Sequence, residues 1–287
     1  MDVDLIRTFI QVAKTSHFRK AAEQLYLTQS AVSARIKLLE ERLGAKLFER
    51  SKHQVSLTTA GVRFLAHAEQ LLTAWNRACQ DVRLPEQAAS TIVTGATDTI
   101  WNMFLTDWII EVSKSLPEVM IRAELYTSDS LMPALLDSSL DVAVMFDAPA
   151  LPRLQIVELA SVPFIMVASA KGLNAADAIL AGFIEVDWGQ AFAASFQQHF
   201  GSMYPVRLHT SVGKVALELI LKIGGVAYLP KPMVLSYLQQ GMLYSIADAP
   251  VIVRPVFAAQ LAGNAQNADL SPAIELMREC LTCSIEN

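Results

Sequence analysis

The chain has 287 residues, 53% of them apolar, with a mean hydropathy of +0.34 and a formal net charge of -5. Its length accommodates about two folding units, and its richest apolar stretch, Val162 to Ala170, is strand-sized, short of the roughly 18 residues a membrane span requires. Three cysteines, Cys79, Cys280 and Cys283, exclude a disulfide scaffold in a chain this large, and with the acidic opening Met1-Asp2-Val3-Asp4, unlike a basic leader, they point to a cytoplasmic setting.

Charge is divided unevenly. Residues 1–84 hold 13 Lys and Arg against 8 Asp and Glu, net +5, which leaves 10 against 20, net -10, for the remainder. A basic amino-terminal part on an acidic body suggests that the first part meets a polyanion and the second does not.

Up to Gly44 the apolar spacing is helical: Leu5, Phe9 and Val12; then Phe18, Ala21, Ala22 and Leu25; then Val32, Ile36, Leu39 and Leu43. Ser16 is expected to cap the second helix and Thr28 the third, through hydroxyls that accept from unpaired first-turn amides. Only Tyr26 and Leu27 separate the second helix from the third helix's cap, so the pair reads as a helix-turn-helix. At about 100° per residue, Val32, Ile36, Leu39 and Leu43 form one stripe toward the core. Ser30, Ser33, Ala34 and Lys37 fall together on the outer side, Gln29 borders that arc, and Arg35 lies on the opposite flank of the stripe. A helix docks in a DNA major groove only with a slim face. On such a face Gln pairs with adenine, Ser serves base or phosphate, and Arg and Lys reach phosphate or guanine. A solvated helix in a protein-binding domain has the same outline, and the charge division favours nucleic acid.

Leu47-Phe48 and Val55-Ser56-Leu57 flank a polar tip, Arg50 to Gln54, as in a two-stranded wing. Arg50, Lys52 and His53 cluster at that tip, as gripping backbone or entering a minor groove requires. Thr58 or Thr59 then caps a helix in which Leu65, Ala68, Leu72, Trp75, Cys79 and Val82 recur at alternating steps of three and four, the seam of a coiled coil. No apolar partner segment lies nearby in sequence, so pairing with a second chain is expected.

After a short polar linker, Pro85 to Ser90, strands alternate with helices. Ile92-Val93-Thr94 precedes a helical stretch from Ile100 to Ser115; Val119–Tyr126 reads as a strand, Ser130–Asp137 as a helix, and Val142–Phe146 as a strand. That order implies a parallel sheet with helices on both faces. The alternation recurs through Phe164–Val167, Phe183–Val186, Val215–Ile223 and Val226–Leu229, giving a second lobe. Gly95-Ala96-Thr97-Asp98-Thr99 leads from strand to helix, a natural anion site, although the Asp98 charge would repel an anion there. Ser128, Asp147, Trp188 and Ser211 follow later strands similarly; each also reads as a cap, a turn or a core aromatic.

Enzyme readings find little support. The five histidines show no metal-ligand spacing, and there is no phosphate-binding glycine loop or nucleophile elbow. Cys280-Leu281-Thr282-Cys283 sits in a helical pattern near the chain end, without the further ligands zinc needs. No catalysis, metal or cofactor is expected.

"FRKAAEQLYLTQSAVSARIKLLEERLGAKLFER" followed by "VSLTTAG" resembles the amino-terminal signature of LysR-type transcriptional regulators, without a gap from about Leu5 to Gly61. "SLDVAVMF" and "GGVAYLP" resemble parts of that family's effector domain. "HFRKAAEQLYLTQSAVS", "LLTAWNRA", "TIWNMFLTDWI" and "EVDWG" look like its HdfR subgroup. The resemblance implies an α/β chain with an α-rich winged helix-turn-helix head and a two-lobed effector domain of periplasmic-binding-protein type with two crossovers. The head spans 1–58, with the helix-turn-helix at 18–37; a dimerising linker helix spans 59–87; the effector domain spans 88–287. Its lobe 1 is about 91–159 plus 264–287, and lobe 2 about 160–263. By the same resemblance, Phe18, Gln29, Ser30, Ser33, Arg35, Lys37, Arg50, Lys52 and His53 would contact DNA. Thr97, Asp98, Thr99, Ser128, Asp147, Trp188 and Ser211 would surround a small-molecule effector between the lobes. Expected partners are a double-stranded operator, that effector, a second copy in a dimer or dimer of dimers, and RNA polymerase. Asp98 departs from the family pattern, as does Ile223, where a glycine is common. Two other readings stay open: a ligand-binding protein with a helical protein-interaction adaptor, and a cysteine redox-responsive regulator.

Overall fold

The computed structural model describes residues 2–50, 55–82, 90–262 and 267–286; the side chains of Arg50, Arg77, Gln80, Asp81 and residues 267–269 fall outside the description. The chain divides into a head, Met1–Glu86, with which Asp137–Ser139 group, and a body, Gln87–Leu136 and Leu140–Asn287.

The head opens with α1 (Val3–Thr15), α2 (Phe18–Gln24) and α3 (Gln29–Leu43). Ser16 does not cap α2. It ends α1 in a left-handed conformation, φ 52°, and the extended cap position passes to His17, whose Nδ1 accepts from the Arg19 amide at 3.2 Å. The turn is too tight for one residue to stop the first helix and start the second. Thr28 does cap α3, its Oγ1 accepting from the Ala31 amide at 3.2 Å. Val32, Ile36 and Leu39 face the core, whereas Leu43, at the last turn, is partly exposed. The core closes on Phe9, whose ring lies 5.3 Å from Phe48 and 5.1 Å from Phe64.

Two short antiparallel strands, β1 (Phe48–Arg50) and β2 (Val55–Leu57), form the wing, with Phe48 opposite Leu57. Helix α4 (Thr59–Asp81) follows, its start fixed by Thr58, whose Oγ1 accepts from the Gly61 amide at 3.0 Å and donates to the Lys46 carbonyl at 2.6 Å. Gly61 has no alternative, because a Cβ there would stand 2.1 Å from the Leu47 carbonyl oxygen. The seam of α4 is not uniformly free. Ala68 is fully buried in the head core, with Leu65 and Leu72 packed against the same cluster. The partner is α1, distant in sequence and adjacent in space. Farther along, Trp75 is 50% and Val82 87% exposed.

In the body, β3 (Ser90–Ala96) lies between β4 (Val119–Leu125) and β5 (Val142–Met145), all parallel, as the core of lobe 1. Between β3 and β4 the chain runs through α5 (Asp98–Ile100), a π-helical turn (Trp101–Leu105) and α6 (Thr106–Ser115); α7 (Ser128–Leu136) precedes β5. Lobe 2 repeats the plan: β7 (Phe183–Val186) pairs in parallel with β8 (Val206–Thr210) and β9 (Val226–Pro230). Its helices are α8 (Ala175–Leu180), α9 (Gln190–Phe200), α10 (Gly213–Ile223) and α11 (Lys231–Gln239). Helix α10 includes Ile223, and Gly224, at φ 78°, stops it.

The expected parallel arrangement holds within each lobe and fails at the centre. Two long strands, β6 (Leu154–Ala168) and β11 (Ile252–Leu261), carry the chain between lobes in opposite directions and pair antiparallel from Leu261–Leu154 to Ile252–Phe164. They join both lobes into one sheet of order β4-β3-β5-β11-β6-β9-β7-β8, with β10 (Tyr244–Ser245) on β6. Helix α12 (Asn267–Glu286) returns to lobe 1, where its Ala273 carbonyl accepts from Trp108 Nε1 at 2.8 Å. No helix among the described residues is long and apolar enough to cross a membrane.

Candidate nucleic-acid interface and effector cleft

On α3, Gln29, Ser30, Ala34 and Lys37 are exposed and Ser33 is half-buried, while the buried stripe fixes the helix from behind. Ser33, Ala34 and Lys37 line an open groove of about 600 Å³ with Lys46 and Phe48 from the approach to the wing and Glu40 from the same helix. Lys46 was not among the expected residues; with Glu40, Glu41 and Glu49 beside Arg42 and Arg50, the sequence around it carries no net basic signal. Glu40 organises this junction: its carboxylate accepts from Lys46 Nζ at 2.8 Å and from the Leu47 amide at 2.9 Å. Burial pushes that carboxyl up, but the bonds from Lys46 and the Leu47 and Phe48 amides outweigh it and hold it below its ordinary value.

Two expected contact residues are otherwise engaged. Phe18 is buried, its ring edge-on to Phe48 at 6.0 Å, so its side chain belongs to the core: the first residue of α2 points inward because α2 spans only two turns and needs that anchor. Arg35 turns back to α1, Nη1 donating to Thr8 Oγ1 at 3.3 Å and Nη2 standing 3.6 Å from Asp4. That bracing follows from its flank position and sets it apart from the outer face. Lys37 stays exposed beside Glu41, 3.7 Å away. Lys52 and His53 lie outside the described residues, as does the Arg50 side chain.

In the body, a residue that sequence reasoning passed over joins two of the expected ones. Arg254 on β11 is 4% exposed. Its Nη2 donates to Asp147, beyond β5, at 2.5 Å, and its Nη1 donates to the Trp188 carbonyl beyond β7. The guanidinium lies 4.6 Å from the Phe146 ring centroid, where the ring's π face favours a cation. Asp147 itself is 56% exposed, so one partner of the pair faces solvent. Gly189, at φ +90°, lets the backbone approach; a Cβ would stand 3.4 Å from Asp147 Oδ2. Trp188 is anchored by Nε1 to the Tyr228 carbonyl at 2.9 Å, and its ring packs where a Cβ on Gly213 would stand, 2.5 Å away. One clue was present: "VIVRPVF" sets a single charge in an apolar strand.

The other expected effector residues lie at helix starts. Thr97 occupies the cap position of α5 without a side-chain capping bond, Thr99 is buried, Ser128 opens α7 and Ser211 is exposed before α10. Asp98 Oδ1 accepts from Asn102 Nδ2 at 2.9 Å, so a carboxylate of the chain already sits at this helix start.

A winged head whose outer helix bares small polar residues, together with a body of two α/β lobes with a charged cluster at their junction, has the layout of a DNA-binding protein joined to a ligand-binding domain. Residues 3–62 match the model of the bacterial regulatory helix-turn-helix protein, lysR family, and residues 85–282 match the LysR substrate binding domain. The chain belongs to the LysR family of transcriptional regulators. Among curated relatives it is 33% identical, over 100% of this chain and 97% of the other, to the HTH-type transcriptional regulator HdfR of Yersinia enterocolitica. The HdfR of Yersinia pestis is 32% identical over the same shares. Among solved structures, the LysR family regulator CbnR covers 100% of both chains at 18% identity with a TM-score of 0.67. CbnR in complex with its target DNA gives 0.66 at 18% identity, covering 99% of this chain and 100% of that one. Full-length OxyR from Pseudomonas aeruginosa gives 0.61 at 22%, covering 98% of each.

Proposed function

We propose that α3 lies in a major groove, with Gln29, Ser30 and Ser33 reading base edges and Lys37 and Lys46 on phosphate, and that the wing's Arg50, Lys52 and His53 hold backbone or minor groove. The observation that carries this is the exposed, short-chained face of α3 beside Lys46. The protein acts without catalysis, in the cytoplasm, as a dimer or dimer of dimers on an inverted-repeat site, and contacts RNA polymerase there. The later stretch of α4, with Trp75 and Val82 exposed and Cys79 half-buried, is the proposed pairing surface. A small effector enters between the lobes near Arg254, Asp147 and Trp188, with Thr97, Asp98, Thr99, Ser128 and Ser211 toward its rim.

Replacing Ser33 by Glu is expected to abolish specific operator binding in a mobility-shift assay, by more than about a hundredfold, with the oligomer intact by gel filtration; each good bidentate base contact alone is worth about 1–3 kcal/mol. Undiminished binding would remove this face from the reading. A steep loss of DNA affinity with salt separates it from a protein adaptor, which releases no counterions. The redox alternative is disfavoured at Cys280, whose thiol is pushed up by burial and then by Glu111 and Asp107, the opposite of a reactive cysteine.

A further inference from the structure

Lobe 2 holds a cavity of about 100 Å³ between α9 and the face of β7, by that measure room for several waters. Every residue that lines it belongs to lobe 2; Trp188 and Gly189 also border the junction at Arg254, while Arg254 and Asp147 do not line the cavity. Its floor is aromatic. Phe196 meets Tyr204 edge-on at 5.0 Å and stands perpendicular to Tyr228 at 5.7 Å, with Phe192 stacked on Phe196 at 6.3 Å. At its mouth is Glu185, one oxygen accepting from the Tyr204 hydroxyl at 2.6 Å and the other 3.0 Å from His209 Nδ1. Burial and then Glu185 push the Tyr204 hydroxyl up to about 12, so it remains a donor and holds the carboxylate in place. Asp187 adds a second carboxylate, and no Lys or Arg lines the cavity among the described residues.

We propose that this pocket binds a small organic cation, an alkylammonium whose head pairs with Glu185 while its stem lies against the aromatic floor. Ring faces attract cations, and a carboxylate held at the edge of an apolar cavity adds charge-assisted hydrogen bonding. An anion would face two carboxylates instead. A neutral apolar ligand would gain nothing from the two carboxylates.

The test titrates the full-length protein with n-butylammonium, butan-1-ol and butyrate, by calorimetry and thermal melting. The expected Kd for butylammonium is on the order of 1 mM, with a rise in Tm of about 2–4 °C at roughly tenfold that concentration. Butanol and butyrate should leave Tm within error. Glu185→Gln should weaken butylammonium about tenfold, whereas Glu118→Gln, at an exposed carboxylate of lobe 1, should keep the response. In the unaltered protein, the His209 ring resonances should move with butylammonium and not with butanol, a readout independent of how well the Gln variant folds. Equal responses to all three probes, no response at all, an unaffected Glu185→Gln, or loss in Glu118→Gln would each overturn the pocket; in the first two cases Glu185, Tyr204 and His209 are a structural clip only.

Discussion

The outer face of α3 and the Arg254 cluster are both polar sites on hydrophobic scaffolds, yet they are built in opposite ways. On α3 the proposed reading residues are held from behind: Gln29 and Ser30 are exposed, Ser33 is half-buried, and order comes from the buried stripe. At Arg254 the central group is itself buried, and its donors are committed to Asp147 and Trp188. A surface designed to meet an external partner can be altered without disturbing the fold, whereas a buried charge cannot.

Substitutions sharpen that contrast. Gly61→Ala, where the added Cβ would collide with the Leu47 carbonyl, is expected to cost the head about 3 kcal/mol in denaturant melts and to weaken DNA binding only through unfolding. Arg254→Met should destabilise the body by about 2–3 kcal/mol, since it strands the Trp188 carbonyl and uncovers Phe146, and the loss should appear without any ligand. A stable Arg254→Met protein would erase the difference between the two sites. Thr28→Ala should cost about 1 kcal/mol, the ordinary value of a helix cap.

The smallest effect is a pH dependence. The Glu40 carboxyl is held below its ordinary value by Lys46 and two amides against the opposing pull of burial. Its contribution is therefore present above the unfolded carboxylate value, about 4.3, and is lost as pH falls through the lower folded one. Melts from neutral pH downward should show the head weakening in acid, with Glu40→Gln flattening that slope; an unchanged slope would count against Glu40 as the organiser of the wing junction.

Legibility followed the same division. The three head helices, the turn between the second and third, the wing and the α3 stripe were readable because each depends on residues within a few positions of one another. What escaped depends on distance. Asp147 and Arg254 are 107 residues apart and meet only because β5 and β11 are neighbours. The burial of Ala68 against its own domain needed the position of α1, and the exposed α4 surface is correspondingly shorter than its repeat suggests. The left-handed Ser16 was missed because a Ser-His pair offers two possible caps, and only the path of the backbone decides between them. Phe18 was also expected among the DNA contacts; the apolar period of α2 places it inside, where the structure buries it against Phe48.

The pairing of β6 with β11 also has a consequence in time. β5 cannot gain its second neighbour until residues 252–261 exist, more than 100 positions after Met145. At a synthesis rate of about 5–20 residues per second, that is roughly 5–20 seconds during which a nascent lobe 1 presents an open strand edge. The amino-terminal head, closed by contacts within its first 72 residues, completes its own structure long before. The DNA-binding head is thus finished on the ribosome while the two-lobed body is still waiting for its last strand.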